Sequence, residues 1–179
     1  MTLPLRRPYP PMEALSVATI PTGPEWQYEP KWDGFRCLAF RDGDKVALQS
    51  KAGEPLERYF PEMVEALLDV KAQRFVLDGE LVIPSGKALS FDHLLMRIHP
   101  AESRVRKLSV ETPAMLIVFD LLVDEKGASL VDLPLEERRK RLEAFAAKHL
   151  RDLPRIRISP AADDPRVAKA RRDLASALF

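Results

Sequence analysis

Residues 29–36 read EPKWDGFR, with a lysine, an aspartate, a glycine and an arginine close together behind a proline. In extended backbone side chains alternate, so Glu29, Lys31 and Asp33 share one face while Tyr28, Pro30 and Trp32 share the other. A lysine flanked by same-face carboxylates has two readings. It is a surface ion pair worth ~0–1 kcal/mol, or it is an amine nucleophile. Gly34 then permits a tight turn or the close approach of a ligand. A second stretch, FVLDGELVI at 75–83, puts Asp78 and Glu80 on one strand face with Val76 and Val82. Phe75, Leu77, Leu81 and Ile83 point the other way. Carboxylates in so apolar a strand are costly to bury unless they are paired or hold a metal. A third stretch, LIVFDLL at 116–122, sets Phe119 and Asp120 in the strongest hydrophobic run. Phe119 there is a core residue or an aromatic plate, and a buried Asp120 needs a partner. An amine, carboxylates for a divalent cation, an aromatic and a nearby arginine suit nucleotidyl transfer onto lysine better than hydrolysis. No Ser-His-Asp or Cys-His arrangement competes.

The elements that must position these residues follow from pattern. Pro4, Pro8, Pro10, Pro11, Pro21 and Pro24 crowd residues 1–25, an extended arm lying on the body. Apolar runs flank Asp42-Gly43, a hairpin signal. In RYFPEMVEALLDV, Pro61 suits a first helical turn, and Met63, Leu67 and Val70 fall on one face. RFVLDGELVIPSG reads as a strand of about ten residues closed by a Pro-Ser-Gly turn. SFDHLLMRIHP is a short helix with Ser90 as N-cap and Pro100 beyond its end. PAMLIVFDLLVDEKG is a buried strand. LPLEERRKRLEAFAAKHL is an amphipathic helix entered near Pro134, with Glu136–Lys140 and Glu137–Arg141 pairs. RIRIS is a short strand. DDPRVAKARRDLASALF is a last helix, capped by Asp164 and entered at Pro165, with Val167, Leu174 and Leu178 as its stripe. The order implies an α+β fold of mostly antiparallel sheets with flanking helices.

Bulk properties exclude several classes. The 179 residues are 46% hydrophobic and 31% charged with a net charge of +1, which announces no global affinity for nucleic acid. Basic clusters are local (Arg104, Arg106, Lys107; Arg138, Arg139, Lys140, Arg141; Arg155, Arg157; Arg171, Arg172) and read first as solvated faces. A single cysteine, Cys37, excludes an internal disulfide, and with His93, His99 and His149 it builds no zinc spacing. No apolar run approaches the roughly 20 residues of a membrane span. The N-terminus lacks a signal-peptide core, so the expected location is cytoplasmic. Neither GxGxxG nor GxxxxGK[ST] occurs.

KWDGFR resembles the KxDGxR lysine motif of covalent nucleotidyltransferases. YEPKWDGFR, YFPEM, LDGELV, FDHLLMRIHPAESRV and FDLLV, in that order, resemble the bacterial ATP-dependent DNA ligases, specifically the short stand-alone type. The resemblance runs from about Pro11 to the C-terminus. It implies an ATP-grasp-like nucleotidyltransferase ligase fold, with residues 26–179 forming the N-terminal part of an adenylation domain. It implies ATP and Mg²⁺ as cofactors and nicked double-stranded DNA as partner. Lys31 matches the lysine that attacks the α-phosphate of ATP. Glu29 matches the position at the adenine amino edge. Asp33 and Gly34 complete the lysine motif, and Arg36 matches its ribose- or phosphate-side arginine. Glu80 matches the acidic residue linked to ribose and metal, and Phe119 the ring that stacks on adenine. The basic clusters would track DNA backbone.

Two departures from the family pattern stand out. Ser50-Lys51 replaces the usual Ser-Arg pair, so Lys51 keeps the charge but loses the bidentate fork. The EG-x-x-x-K element, the paired-lysine strand and the OB-fold domain are not in these 179 residues. The isolated chain is therefore expected not to seal nicks by itself, being incomplete in its fold: a fragment, a shortened frame or half of a split enzyme. An exposed sheet edge would then favour association with the missing half or with itself. The competing expectations are a non-catalytic nucleotide- or DNA-binding remnant and a covalent nucleotidyltransferase of the RNA-ligase or capping type.

Overall fold

The apolar strand containing DGE becomes the middle of a five-stranded sheet. The computed structural model describes residues 1–86, 88–164 and 166. Its elements are β1 (Phe35–Asp42), β2 (Lys45–Ser50), α1 (Pro61–Leu68), β3 (Arg74–Val82), β4 (Pro84–Ser85), β5 (Ala88–Leu89), α2 (Phe91–Arg97), α3 (Glu102–Glu111), β6 (Met115–Val123), α4 (Leu135–His149) and β7 (Ile156–Ile158). The sheet order is β2-β1-β3-β6-β7, and β4-β5 is a separate hairpin. Every pairing in the large sheet is antiparallel except β6 with β7, which is parallel. The architecture is α+β, as the element pattern implies.

The alternation in β3 separates two environments. Phe75, Leu77, Leu81 and Ile83 enter the main core, where Met63, Leu67 and Val70 from the α1 region meet Leu142 and Phe145 from α4. Burying each such side chain contributes about 1.5–3 kcal/mol. On the opposite face, Leu38, Phe40, Val76 and Leu122 are covered by Leu3 of the N-terminal arm, with Leu5 and Tyr9 packed alongside. Gln49 fixes the arm by a reciprocal pair: Tyr9 N–H donates to its Oε1 (2.9 Å) and its Nε2 donates to the Tyr9 carbonyl (2.6 Å). Farther along this face Trp32, Val82 and Ile117 form a small cluster. Asp78 and Glu80 sit between the two clusters.

Several details differ from the sequence reading. The hairpin turn centres on Gly43-Asp44 because Asp42 pairs with Lys45. Of the two central turn residues only Gly43 has positive φ (62°), the type II′ pattern. The basic cluster at Arg104, Arg106 and Lys107 lies on helix α3, which the element pattern does not delimit because only Val105 and Ser109 of it are buried. Arg138 and Arg139 are buried rather than solvated, so neither is free to track DNA. Lys140 and Arg141 do stay exposed, in ion pairs with Glu136 (2.7 Å) and Glu137 (3.3 Å). The expected last helix over 163–179 lies almost wholly outside the described residues. Pro61 and Ser90 take their expected places: Pro61 opens α1, and Ser90 Oγ accepts from His93 N–H at 3.2 Å.

A buried ion pair stitches the helices together. Arg97 on α2 is fully buried and donates to both oxygens of Glu62 on α1 (2.8 and 2.7 Å) and to the Tyr59 carbonyl (2.7 Å). Its guanidinium lies 4.9 Å over the Phe60 ring. Glu62 also accepts from Ala114 N–H at 3.0 Å, so one carboxylate ties α1 and α2 to the start of β6.

Candidate active site

Lys31 projects from a segment that is extended but belongs to no strand. Tyr28, Pro30 and Trp32 are buried, while Lys31 and Asp33 are exposed and Glu29 is half-buried. The segment is held from behind. Tyr28 and Ala162 exchange backbone hydrogen bonds of 2.8 and 2.9 Å, and Trp32 Nε1 donates to Ser159 Oγ at 3.0 Å. Lys31 makes no ion pair among the described residues. The surface salt-bridge reading therefore fails for Glu29, whose Oε1 instead accepts from Gln27 at 2.9 Å and faces Arg139 at 3.5 Å.

Gly34 is required by packing. A Cβ there would lie 2.1 Å from the Leu81 carbonyl and 2.9 Å from Glu80 Cγ. The glycine thus admits the close approach of β3, which is what brings Glu80 beside the Lys31 segment.

A cavity of about 480 Å³ gathers Glu29, Lys31, Arg36, Lys51, Glu80 and Phe119. Asp33 is not in its wall. Pro11 to Ala14 of the arm close one side, a contribution the proline-rich sequence did not signal. A larger groove of about 640 Å³, lined by residues including Glu62, Val105 and Arg155, contains none of the candidate residues. Phe119 reaches the cavity because of a register shift. Asp78 pairs with Asp120 but Gly79 pairs with Val118, leaving Phe119 as the extra residue of β6. Its ring lies under the Arg36 guanidinium, 4.6 Å from centroid to Cζ.

The four acids of this region have different fates. Asp78, almost fully buried, accepts from Arg36 Nε and Nη2 at 2.6 Å each. Burial pushes its carboxyl above the usual range, and Arg36 pulls it back. Asp120 accepts from Arg138 Nε at 3.0 Å and pairs with Nη2 at 3.0 Å, a buried ion pair. Burial likewise raises Glu29, opposed by hydrogen bonds from Ser159 and Gln27 and by Arg139. Glu80 is pushed up to about 7 by desolvation, with Arg36, the Gly34 N–H and Lys31 acting the other way. Of the two β3 carboxylates, Asp78 serves structure and Glu80 faces the cavity. Lys51 reaches across to Glu13 of the arm at 2.9 Å, both side chains exposed.

No group of three or more His, Cys, Asp or Glu side chains suited to a metal occurs among the described residues. Glu80 could offer one carboxylate to a cation in the cavity. That suits Mg²⁺, which takes one or two carboxylates and completes its shell with water and substrate phosphates. No helix among the described residues is long and apolar enough to cross a membrane.

Comparison with known proteins identifies the family. Residues 11–172 match the family model for the ATP dependent DNA ligase domain. The chain is 49% identical over 143 residues to DNA ligase C of Mycobacterium tuberculosis, covering 74% of this chain and 39% of that protein. It is 47% identical over 151 residues to DNA ligase C2 of Mycolicibacterium smegmatis, covering 82% of this chain and 41% of the relative. The chain thus spans about two fifths of the length of the curated relatives it matches. Among solved structures it is similar to a mycobacterial DNA ligase D complexed with ATP and MES. There the TM-score is 0.60 at 26% identity, over 83% of this chain and 44% of that one. The family match runs through KWDGFR, LDGELV and FDLLV, the stretches that supply Lys31, Glu80 and Phe119 to the cavity, and this chain belongs to the ATP-dependent DNA ligase domain family.

Proposed function

We propose that this chain carries the nucleotide-binding and lysine-adenylating part of an ATP-dependent DNA ligase. The observation that carries the reading is an exposed Lys31, free of ion pairs among the described residues, sharing one cavity with Phe119 and Glu80. In this reading the neutral Lys31 amine attacks the α-phosphate of ATP. A P–N bond forms, the bond to the β-phosphate bridging oxygen breaks, pyrophosphate leaves and the amine gives up a proton. Phe119 stacks on the adenine and Glu29 accepts from its amino group. Glu80 would hold Mg²⁺ against the phosphates, where the ion supplies charge neutralisation for in-line displacement. Arg36 is spent mainly on Asp78. Its role toward ribose or phosphate is therefore indirect: it sets the Phe119 ring and the cavity wall. Lys51 is the exposed cation of the cavity, offered to phosphate when its pairing with Glu13 yields. Asp33, outside the cavity wall, acts in this reading through the conformation of the motif.

The whole-protein reaction is then transfer of AMP to a DNA 5′-phosphate and sealing by the 3′-hydroxyl. Incubation with α-labelled ATP and Mg²⁺, followed by a denaturing gel, tests the first step. Covalent label lost in Lys31→Ala supports it. Binding without label favours a nucleotide-binding remnant, and label from GTP favours a capping-type enzyme.

A further inference from the structure

Arg139 lies 108 positions beyond Lys31 in sequence yet sits directly behind the nucleophile segment. It is nearly buried, and each arm of its fork is assigned. Nε donates to Glu143 at 2.8 Å, Nη2 donates to the Ser159 carbonyl at 2.9 Å, and Nη1 points to Glu29 Oε1 at 3.5 Å. That Nη1 is buried and has no hydrogen-bond partner among the described residues, so Glu29 is its electrostatic counterpart. Ser159 works from the same side. Its hydroxyl accepts from Trp32 Nε1 and is hydrogen-bonded to Glu29. One arginine and one serine therefore hold the residues on both sides of Lys31.

We infer that Arg139, together with Ser159, is a positioning residue for base selection, holding the Glu29 carboxylate ionised and aimed at the 6-position of the purine. This rests on the proposed reading of the cavity as an adenine site. An ionised carboxylate accepts from the 6-amino group of adenine and repels the 6-oxo group of hypoxanthine. Without Arg139 the carboxylate keeps its burial but loses its counter-charge and one of its tethers. It then rotates or takes up a proton, and in either case discrimination against the 6-oxo base falls.

The test uses ATP and inosine triphosphate, with affinity and covalent labelling both measured on the same chain. Wild type is expected to prefer ATP. Arg139→Met should reduce the ATP-to-ITP ratio at least about tenfold, chiefly through weaker ATP binding, and Arg139→Lys should restore part of it. Ser159→Ala should lower the ratio in the same direction, and it decides the matter if Arg139→Met does not fold. A second readout is pH. The charged groups that act on Glu29 are Arg139 from α4, which lowers its carboxyl, and Asp120 from β6, which raises it. Removing the Arg139 charge raises the Glu29 carboxyl further, so acidification should erase the ATP preference at a higher pH in Arg139→Met than in wild type. Folded variants with the wild-type ratio and the wild-type pH profile would overturn the inference while leaving the adenine site intact. A wild type that treats ATP and ITP alike would overturn the reading of Glu29 itself, and the inference with it.

Discussion

Arg36 grips Asp78 through two 2.6 Å hydrogen bonds while its guanidinium lies over Phe119. An arginine of the lysine motif is thereby a structural counter-ion first. Asp78 is almost fully buried, so removing its partner strands a charge in the sheet. Arg36→Ala should cost about 2–4 kcal/mol in urea denaturation. The double variant Arg36→Met with Asp78→Leu should recover most of that loss, because no unpaired charge remains.

The same guanidinium sets the Phe119 ring, so stacking can be tested apart from stability. Phe119→Ala should weaken ATP binding by about 1–3 kcal/mol, measured by calorimetry, and Phe119→Trp should retain it. Equal affinities for all three proteins would remove Phe119 from the base site.

Gly34 tests whether backbone approach or ligand approach sets the motif. Gly34→Ala should lower stability by about 3 kcal/mol even without nucleotide, since its Cβ would meet the Leu81 carbonyl at 2.1 Å. A thermal melt unchanged from wild type would contradict the packing account.

Glu80 carries a pH signature. Desolvation lifts its folded pKa to about 7, above the ordinary glutamate value of 4.5. The folded state therefore holds this proton more tightly than the unfolded chain. That contribution is full below about pH 4.5 and is lost as pH rises through about 7. Glu80→Gln, measured without nucleotide or metal, should thus raise stability at pH 8 by about 1 kcal/mol once solvent screening is allowed for, and change little at pH 4.5. The opposite trend would mean that the carboxylate is held ionised by its neighbours.

Much of this was legible because it is periodic. The apolar alternation around Asp78 and Glu80 reports strand and face directly, and the Pro61 and Ser90 helix starts are local chemistry. Helix α3 escaped because Val105 and Ser109 alone face inward, leaving no apolar stripe to read. The Phe119 bulge escaped because alternation assumes an unbroken ladder. Arg139 and Ser159 escaped because their partners are remote: the Trp32–Ser159 bond spans 127 positions. A charge run on a helix looks solvated until the fold brings Glu29 and Asp120 to it.

The central claim is that Lys31 is the nucleophile. Peptide mapping by mass spectrometry after reaction with ATP and Mg²⁺ tests it most directly. The account predicts one acid-labile AMP on the peptide containing KWDGFR, attached at Lys31 and absent from Lys31→Ala. AMP on another lysine, or an adduct that persists in Lys31→Ala, would contradict it.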